Sequence, residues 1–470
     1  MVPSANLTPT RSNLSSSVAL GIALLTCVGA CLLTLWNASV STPAWVDYIV
    51  AILPLLGALA LVRSGYQSNA AYLFSTGFWL STTVVFYVLL KSFSLIAKDE
   101  DIDNLNTTIW AVTLFLFPFV FGYVSAKTAF VKKMTPSRQK ADVSITPRSR
   151  FWLFGIFLGF KVFGMVLMLG TGGNVLEVAA ATQNNGAAYL YKIPLAANAI
   201  FLLIMFDSFK SNRGWGIAAL TTGVFLLEAI IATSRLSIVM AVLWAAFLYH
   251  RYRKPIKITT VAMIGVPLIV VIALFGYARN IEVGSWQAYL EAFSVLSADP
   301  VLLSDLFLAR LDMLPEMSQA ITLYDAGVLP SLDGGSYIYM FLHAVPRNIW
   351  ESKPLLTAAL LTSITHPGAF EDGVNIFPSI IIEALINFGW IGIIFIGSVV
   401  GVLCTLYEKA LYSDRAIPTT WALTFFTFPM GLFNEGFHSN FTGNLLYTTG
   451  VIFVILKLLI WFKVLKINHV

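Results

Sequence analysis

The sequence predicts an all-α polytopic membrane protein with about 12 transmembrane helices and one large loop between helices 9 and 10. Three observations lead to this fold class. Apolar residues make up 57% of the 470-residue chain, charged residues make up only 11%, and the mean hydropathy is +0.79. Such values are typical of a chain whose main solvent is the bilayer.

Windows of about 17–25 apolar residues give the helices in order along the chain. Residues 1–16 are polar and are predicted to form a disordered cytoplasmic N-terminus. The first apolar run is interpreted as a membrane helix and not as a cleaved signal. The predicted spans are 17–36, 46–62, 71–95, 108–130, 151–170, 188–208, 215–233, 236–250, 258–278, 376–407, 417–436 and 441–462. Helices 1–9 thus occupy residues 17–278, the large loop occupies 279–375, and helices 10–12 with a cytoplasmic C-terminus occupy 376–470.

The distribution of positive charge predicts the orientation. The loop 127–150 is rich in Lys and Arg and is therefore assigned to the cytoplasm. Alternation from this loop puts both termini inside and the loop 279–375 on the opposite, outer face. The net charge of +5 then indicates orientation and contact with anionic lipid, and it argues against nucleic-acid binding.

The large loop is predicted to contain short helices. Residues 304–323 have apolar residues at helical spacing after a capping Ser304, and residues 336–345 are apolar and aromatic. Turns are predicted at Gly334-Gly335 and at His366-Pro367-Gly368.

Five cations lie on the face that should be depleted of them: Arg235, Arg279, Arg310, Arg347 and Lys353. A guanidinium group presents a planar fork of donors that suits phosphate oxygens, so this set is the candidate diphosphate-binding site. The alternative is that each arginine pairs with a nearby carboxylate. The candidate partners are Glu228 for Arg235, Glu282 for Arg279, and Asp305 or Asp312 for Arg310.

Two residues are candidates for acid–base catalysis. His343 lies four residues before Arg347, and a histidine can act as a general base near neutral pH; it could equally be a satisfied interfacial histidine. Glu383 is a carboxylate near the outer end of a predicted membrane helix, where ionisable groups are costly and commonly functional. Lys161, Glu228, and Glu435 with His438 raise the same question less sharply. No spacing predicts a metal site, and no cofactor is expected.

Three segments carry a resemblance to a known family: Thr233-Ser234-Arg235-Leu236, the loop segment from Pro346 to Pro354, and the helix with Glu383, Asn387 and Gly389. In these segments the chain resembles Wzy-type polymerases of O-antigen and related polysaccharide repeat units. The Ser-Arg turn is also similar to that of O-antigen ligases. The resemblance covers the C-terminal half, and the first 200 residues share only a general helical character.

The resemblance implies a metal-independent glycosyltransferase of lipopolysaccharide biosynthesis in the bacterial inner membrane. Its active site would face the periplasm and join repeat units linked to undecaprenyl diphosphate. The implied partners are this lipid-linked oligosaccharide, membrane lipids and a chain-length regulator protein.

Two other functions stay open. One is a ligase that passes the glycan to lipid A core, and the other is a flippase or other transporter. A transporter would be expected to show internal repeats, broken helices and charges near the midplane of the bilayer. The concentration of charge in one outer loop favours an enzyme, and a purely structural membrane protein is the remaining alternative.

Overall fold

The computed structural model describes most of the chain from residue 105 onward. The described residues are 75, 76, 80, 84, 105–132, 142–170, 192–231, 234–281, 285–298, 313–342, 345, 349–371, 376, 379–426, 428–440 and 445–468. The predicted disordered segment 1–16 and nearly all of the first three predicted spans lie outside them. The count of 12 spans therefore stays a prediction.

The described residues form fifteen helices and one small sheet. The helices are α1 Leu105–Lys132, α2 Pro147–Gly170, α3 Lys192–Ser211, α4 Trp215–Ile231, α5 Arg235–Tyr252, α6 Ile258–Ile281, α7 Trp286–Ala298, α8 Met313–Asp325, α9 Gly335–Leu342, α10 Thr357–Thr365, α11 Pro367–Glu371, α12 Ser379–Leu411, α13 Ala416–Thr424, α14 Phe428–Asn440 and α15 Tyr447–Trp461. The strands are β1 Asp142–Ser144 and β2 Lys466–Asn468, and they pair antiparallel.

Among the described residues, three helices are long and apolar enough to cross a membrane: Thr107–Lys127, Pro147–Val166 and Ser379–Leu411. The chain is therefore a helical membrane protein. Every predicted span from 108–130 onward coincides with helical structure in position. The span 417–436 differs in form, because it is divided between α13 and α14.

Helices α1 and α12 form the centre of the bundle and pack through glycine. A Cβ at Gly397 or Gly401 of α12 would overlap the backbone carbonyl oxygen of Phe115 or Phe119 in α1. A Cβ at Gly122 of α1 would in turn overlap the backbone of α12. Small residues spaced four apart let two backbones approach closely, which is how helices associate in a membrane.

A buried carboxylate joins the same two helices. Tyr123 of α1 donates its hydroxyl to Glu408 Oε1 at 2.6 Å, and the Thr76 backbone N–H donates to the same oxygen at 2.7 Å. The Lys127 Nζ lies 3.6 Å from Glu408 Oε2. Glu408 is only 6% exposed, so these donors stabilise a charge that lipid would exclude.

Basic residues gather where several helices meet, and we call this the basic end of the bundle. Arg150 at the start of α2 contacts Asp207 near the end of α3, with Nε 2.6 Å from Oδ2. Arg251 near the end of α5 donates to the carbonyl oxygens of Leu411, Tyr412 and Ser413 at 2.8–2.9 Å. These carbonyls lie at or just beyond the end of α12, where helical partners are lacking, so Arg251 satisfies them. Basic residues at the start of α2 and near the ends of α3 and α5 thus share one end of the described fold.

Another ion pair lies between α2 and α4. Lys161 of α2 is 3% exposed, and its Nζ lies 2.5 Å from Glu228 Oε2 of α4 and 3.0 Å from Asn198 Oδ1 of α3. Glu228 was the carboxylate considered for Arg235, whose side chain lies outside the described residues. The pair ties three helices together.

The large loop contains more helix than the sequence predicted. The predicted helix 304–323 overlaps α8, and the predicted segment 336–345 overlaps α9. Both predicted turns are confirmed: Gly334 has φ 81°, and α10 ends at His366 before Pro367 begins α11. Helices α7 and α10 were not anticipated. The Tyr289 hydroxyl of α7 donates to the Ile230 carbonyl oxygen at 2.8 Å, which fixes α7 against the end of α4.

Candidate functional site at a break between two helices

The candidate site is centred on Glu383, in the second turn of α12 and only 1% exposed. Helix α12 runs from this site to the basic end, because Glu408 lies 25 residues later, or about 38 Å at 1.5 Å per residue. Two backbone features flank the residue. Ser379, the first residue of α12, has φ 82°, and Gly389 interrupts the helix with φ 65° and ψ −162°. The site thus lies on a short first segment of α12.

The Glu383 carboxylate binds backbone N–H groups of α14. Oε2 accepts from Phe437 at 2.6 Å, and the His438 N–H lies 3.0 Å from Oε1 and 3.1 Å from Oε2. These N–H groups are available to the carboxylate because Gly436, with φ 77° and ψ 175°, breaks α14 immediately before them and removes their helical partners. A Cβ at Gly436 would overlap Glu383 Oε2, so only glycine allows this contact.

Asn387 extends the network to the large loop. Its Nδ2 donates to the Ser336 Oγ of α9 at 2.8 Å and to the Glu383 carbonyl oxygen at 2.7 Å. The Ser336 N–H donates back to Asn387 Oδ1 at 3.3 Å, and the Ser336 hydroxyl hydrogen-bonds to the Glu383 carboxylate. Since Ser336 is 3% exposed and Asn387 is 2% exposed, this polar cluster is shielded from solvent. It fastens α9 to α12.

Tyr337 of α9 contributes an aromatic wall. Its ring stacks on Phe388 with centroids 5.7 Å apart and lies 6.0 Å from the ring of Phe437. Burial, and next the nearby Glu383 carboxylate, raise the pKa of Tyr337 well above its ordinary value. In the described part of the chain its buried hydroxyl has no hydrogen-bond partner. A hydroxyl left in this state costs about 1–3 kcal/mol, and such groups are found where a ligand or water completes the site.

His438 faces the large loop from α14. It lies between the predicted spans 417–436 and 441–462, and its Nδ1 is 3.1 Å from the Thr357 Oγ1 of α10. Burial lowers the pKa of His438 to about 4, and the charge of Lys353 acts in the same direction. The imidazole is therefore neutral at neutral pH. Lys353 itself donates from Nζ to the Val345 carbonyl oxygen at 3.0 Å.

The predicted site residues fall into three groups. Glu383 and Lys353 are described in full: Glu383 lies in the polar cluster, and Lys353 acts on the neighbouring His438 through its charge. Arg235 begins α5 and Arg279 lies near the end of α6, so their backbones lie at the ends of these helices away from the basic end, while their side chains are outside the described residues. The remaining three lie wholly outside them: His343, Arg310 and Arg347. Convergence of all these cations stays a prediction.

Sequence reasoning missed Ser336, Tyr337 and Thr357, and it gave His438 little weight. The first two lie in the apolar segment predicted to be helical, but nothing in that pattern marks them as partners of a carboxylate. Among the described residues, no three His, Cys, Asp or Glu side chains converge as a metal ion would require. The chain matches no protein-family model, no curated protein and no solved structure.

Proposed function

We propose that this chain is a polysaccharide polymerase, a glycosyltransferase that joins repeat units carried on undecaprenyl diphosphate at the periplasmic face of the bacterial inner membrane. In this proposal the chain crosses the membrane about 12 times and the loop 279–375 faces the periplasm. One observation carries it: the carboxylate of Glu383, in a membrane helix, binds the backbone at a break in α14, and His438 in that break contacts Thr357 of the large loop. This contact supports the proposal because it joins the helix segment around Glu383, one of those on which the family resemblance rests, to the large loop.

The reaction gives each group a role. An acceptor sugar hydroxyl forms a bond to the anomeric carbon of the donor while the bond from that carbon to the lipid diphosphate breaks. The leaving diphosphate needs fixed positive charge, which Lys353 and the predicted arginines would provide. The acceptor proton needs a base. His343 keeps this role from the sequence, and His438 is the second candidate.

Binding of the diphosphate would prepare His438 for proton transfer. Burial, and next the positive charge of Lys353, disfavour protonation of His438. A diphosphate at Lys353 would offset that charge and so raise the pKa of the imidazole, although burial would still lower it. Glu383 has a different role in this proposal, because its oxygens already accept N–H and O–H groups. It is a positioning residue that holds the break in α14.

A transporter of the same lipid-linked oligosaccharide is the second candidate. One observation favours it: glycines interrupt both α12 and α14, and the glycine in α14, Gly436, lies against the buried carboxylate of Glu383. Interrupted helices of this kind form substrate sites in secondary transporters.

The test uses purified full-length protein and a lipid-linked repeat unit as the sole substrate. A ladder of longer glycans on lipid supports the polymerase. Product that forms only after lipid A core is added would identify a ligase instead. Movement of the substrate across proteoliposomes without chain growth would identify a transporter.

Matched variants locate the activity at the proposed site. If His438 is the base, His438→Gln should lower the rate of polymerisation by about 100-fold. Glu383→Gln should also lower the rate, because it weakens the hydrogen bonds that hold the break in α14. Their controls are Glu408→Gln, a buried carboxylate on the same helix, and His250→Gln, a buried histidine whose Nδ1 accepts the Ile256 N–H at 3.0 Å. Equal losses in a variant and its control would show that burial, and not the site, accounts for the defect. His343→Gln decides between the two histidines: normal polymer would remove His343 from the role of base.

A further inference from the structure

A cavity of about 760 Å³ lies between α2 and α15 at the basic end of the bundle. Both helices pack against α3, but they leave a gap between themselves. The pairing of β1 with β2 closes the fold at this point, because it joins the chain just before α2 to the chain just after α15. The cavity is far from Glu383, which lies near the other end of α12.

The walls of this cavity are apolar. Helix α2 contributes Trp152, Ile156 and Phe160, which are spaced four residues apart and therefore lie along one face. Helix α15 contributes apolar side chains that include Ile455 and Leu458. Parts of both walls face the bilayer, since Trp152 is 52% exposed and Leu458 is 43% exposed.

The mouth of the cavity is positively charged. Arg148, Lys463 and Lys466 line it, and none of its described lining residues is acidic. Thr146 and Ser149 add two hydroxyl groups at the same level. The arrangement therefore combines three cations with an apolar channel, which matches a molecule that has an anionic head and a hydrocarbon tail.

The length of the channel matches one leaflet of a bilayer. From Arg148 to Phe160 the helix rises 12 residues, or about 18 Å. Half of a hydrocarbon core of about 30 Å is about 15 Å. A phosphate held at Arg148 would thus place its acyl chain along the whole apolar wall.

We propose that this cavity binds one anionic phospholipid of the surrounding leaflet, with its phosphate between Arg148, Lys463 and Lys466 and an acyl chain between α2 and α15. The lipid would fill the gap beside α3 and bind α15 to the bundle. The proposal is independent of the polymerase activity, since none of its residues belongs to the site at Glu383.

Native mass spectrometry of the full-length protein in detergent tests this site with two probes, phosphatidylglycerol and phosphatidylcholine of the same acyl chains. We expect phosphatidylglycerol to be retained in preference. Changing Arg148, Lys463 and Lys466 together to Gln should reduce this retention by about tenfold or more, because each cation near a membrane surface contributes about fivefold to the binding of anionic lipid. The matched control changes Lys254, Lys257 and Lys409, three exposed cations outside the cavity, to Gln.

A second variant keeps the charge and fills the channel. Ile156→Trp should weaken phosphatidylglycerol retention, whereas Leu220→Trp on the exposed face of α4 should not. Each variant is first checked by thermal unfolding in lipid-free detergent. Equal retention of the two lipids, or equal losses in the two triple variants, would overturn the proposal and assign the effect to the general charge of the basic end. Preferential recovery of an isoprenoid diphosphate would also overturn it.

Discussion

Replacing Gly436 with alanine should destabilise the protein by about 3–5 kcal/mol, and the structure separates two contributions. Gly436 has φ 77° and ψ 175°, a conformation essentially restricted to glycine, and forcing a side chain into it costs about 1–3 kcal/mol. The new Cβ would also overlap Glu383 Oε2 and push the carboxylate away from the Phe437 and His438 N–H groups. Hydrogen bonds to a charged group contribute about 1.5–3 kcal/mol.

The measurement is the free energy of unfolding of the purified protein in mixed micelles. The control is Gly450→Ala in α15, where an added Cβ meets no atom within 4 Å. Alanine in place of a helical glycine stabilises by about 0.5–1 kcal/mol, so the control should be neutral or slightly more stable.

A double-mutant cycle then isolates the carboxylate. In a Glu383→Ala background the overlap is gone and only the backbone strain remains, so Gly436→Ala should cost about 1–3 kcal/mol there. The same cost in both backgrounds would show that the contact between Gly436 and Glu383 does not matter. A cost below about 1 kcal/mol in the native background would refute the whole explanation of the break in α14.

Two further predictions concern packing and pH. Gly401→Ala should destabilise the protein by about 1–3 kcal/mol, because its Cβ would meet the backbone of α1. Gly265→Ala is the control, because open space surrounds this residue. The free energies of unfolding of the two variants in mixed micelles are compared. The pKa of His438 is lowered from 6.5 to about 4, so as pH falls the unfolded chain binds this proton first. The contribution of neutral His438 to the free energy of unfolding is therefore fully present above pH 6.5. It falls by up to about 3 kcal/mol as the pH drops from 6.5 to 4. His438→Gln should remove that part of the pH dependence, and an unchanged slope in the variant would contradict the assignment.

The sequence by itself determined the membrane character and the positions of most described helices. Length and hydropathy are local properties, so the run 376–407 predicted α12 to within four residues at each end. Glycine and proline also act locally, which is why the turns at Gly334 and His366 were confirmed. The even 12-span count goes beyond what the described residues test.

Only the tertiary structure decided what the polar residues do. Glu383 was identified as unusual because a carboxylate in an apolar helix is rare, but its partners lie 54 and 55 positions later in the chain. The span 417–436 gave no sign of a gap after Thr424 or of a break at Gly436. Every residue other than proline has a backbone N–H group, so the sequence carries no mark of which two are left without helical partners. Packing of α12 against α14 brings the Glu383 carboxylate to the N–H groups of Phe437 and His438, and this contact is what sets them apart from other backbone groups.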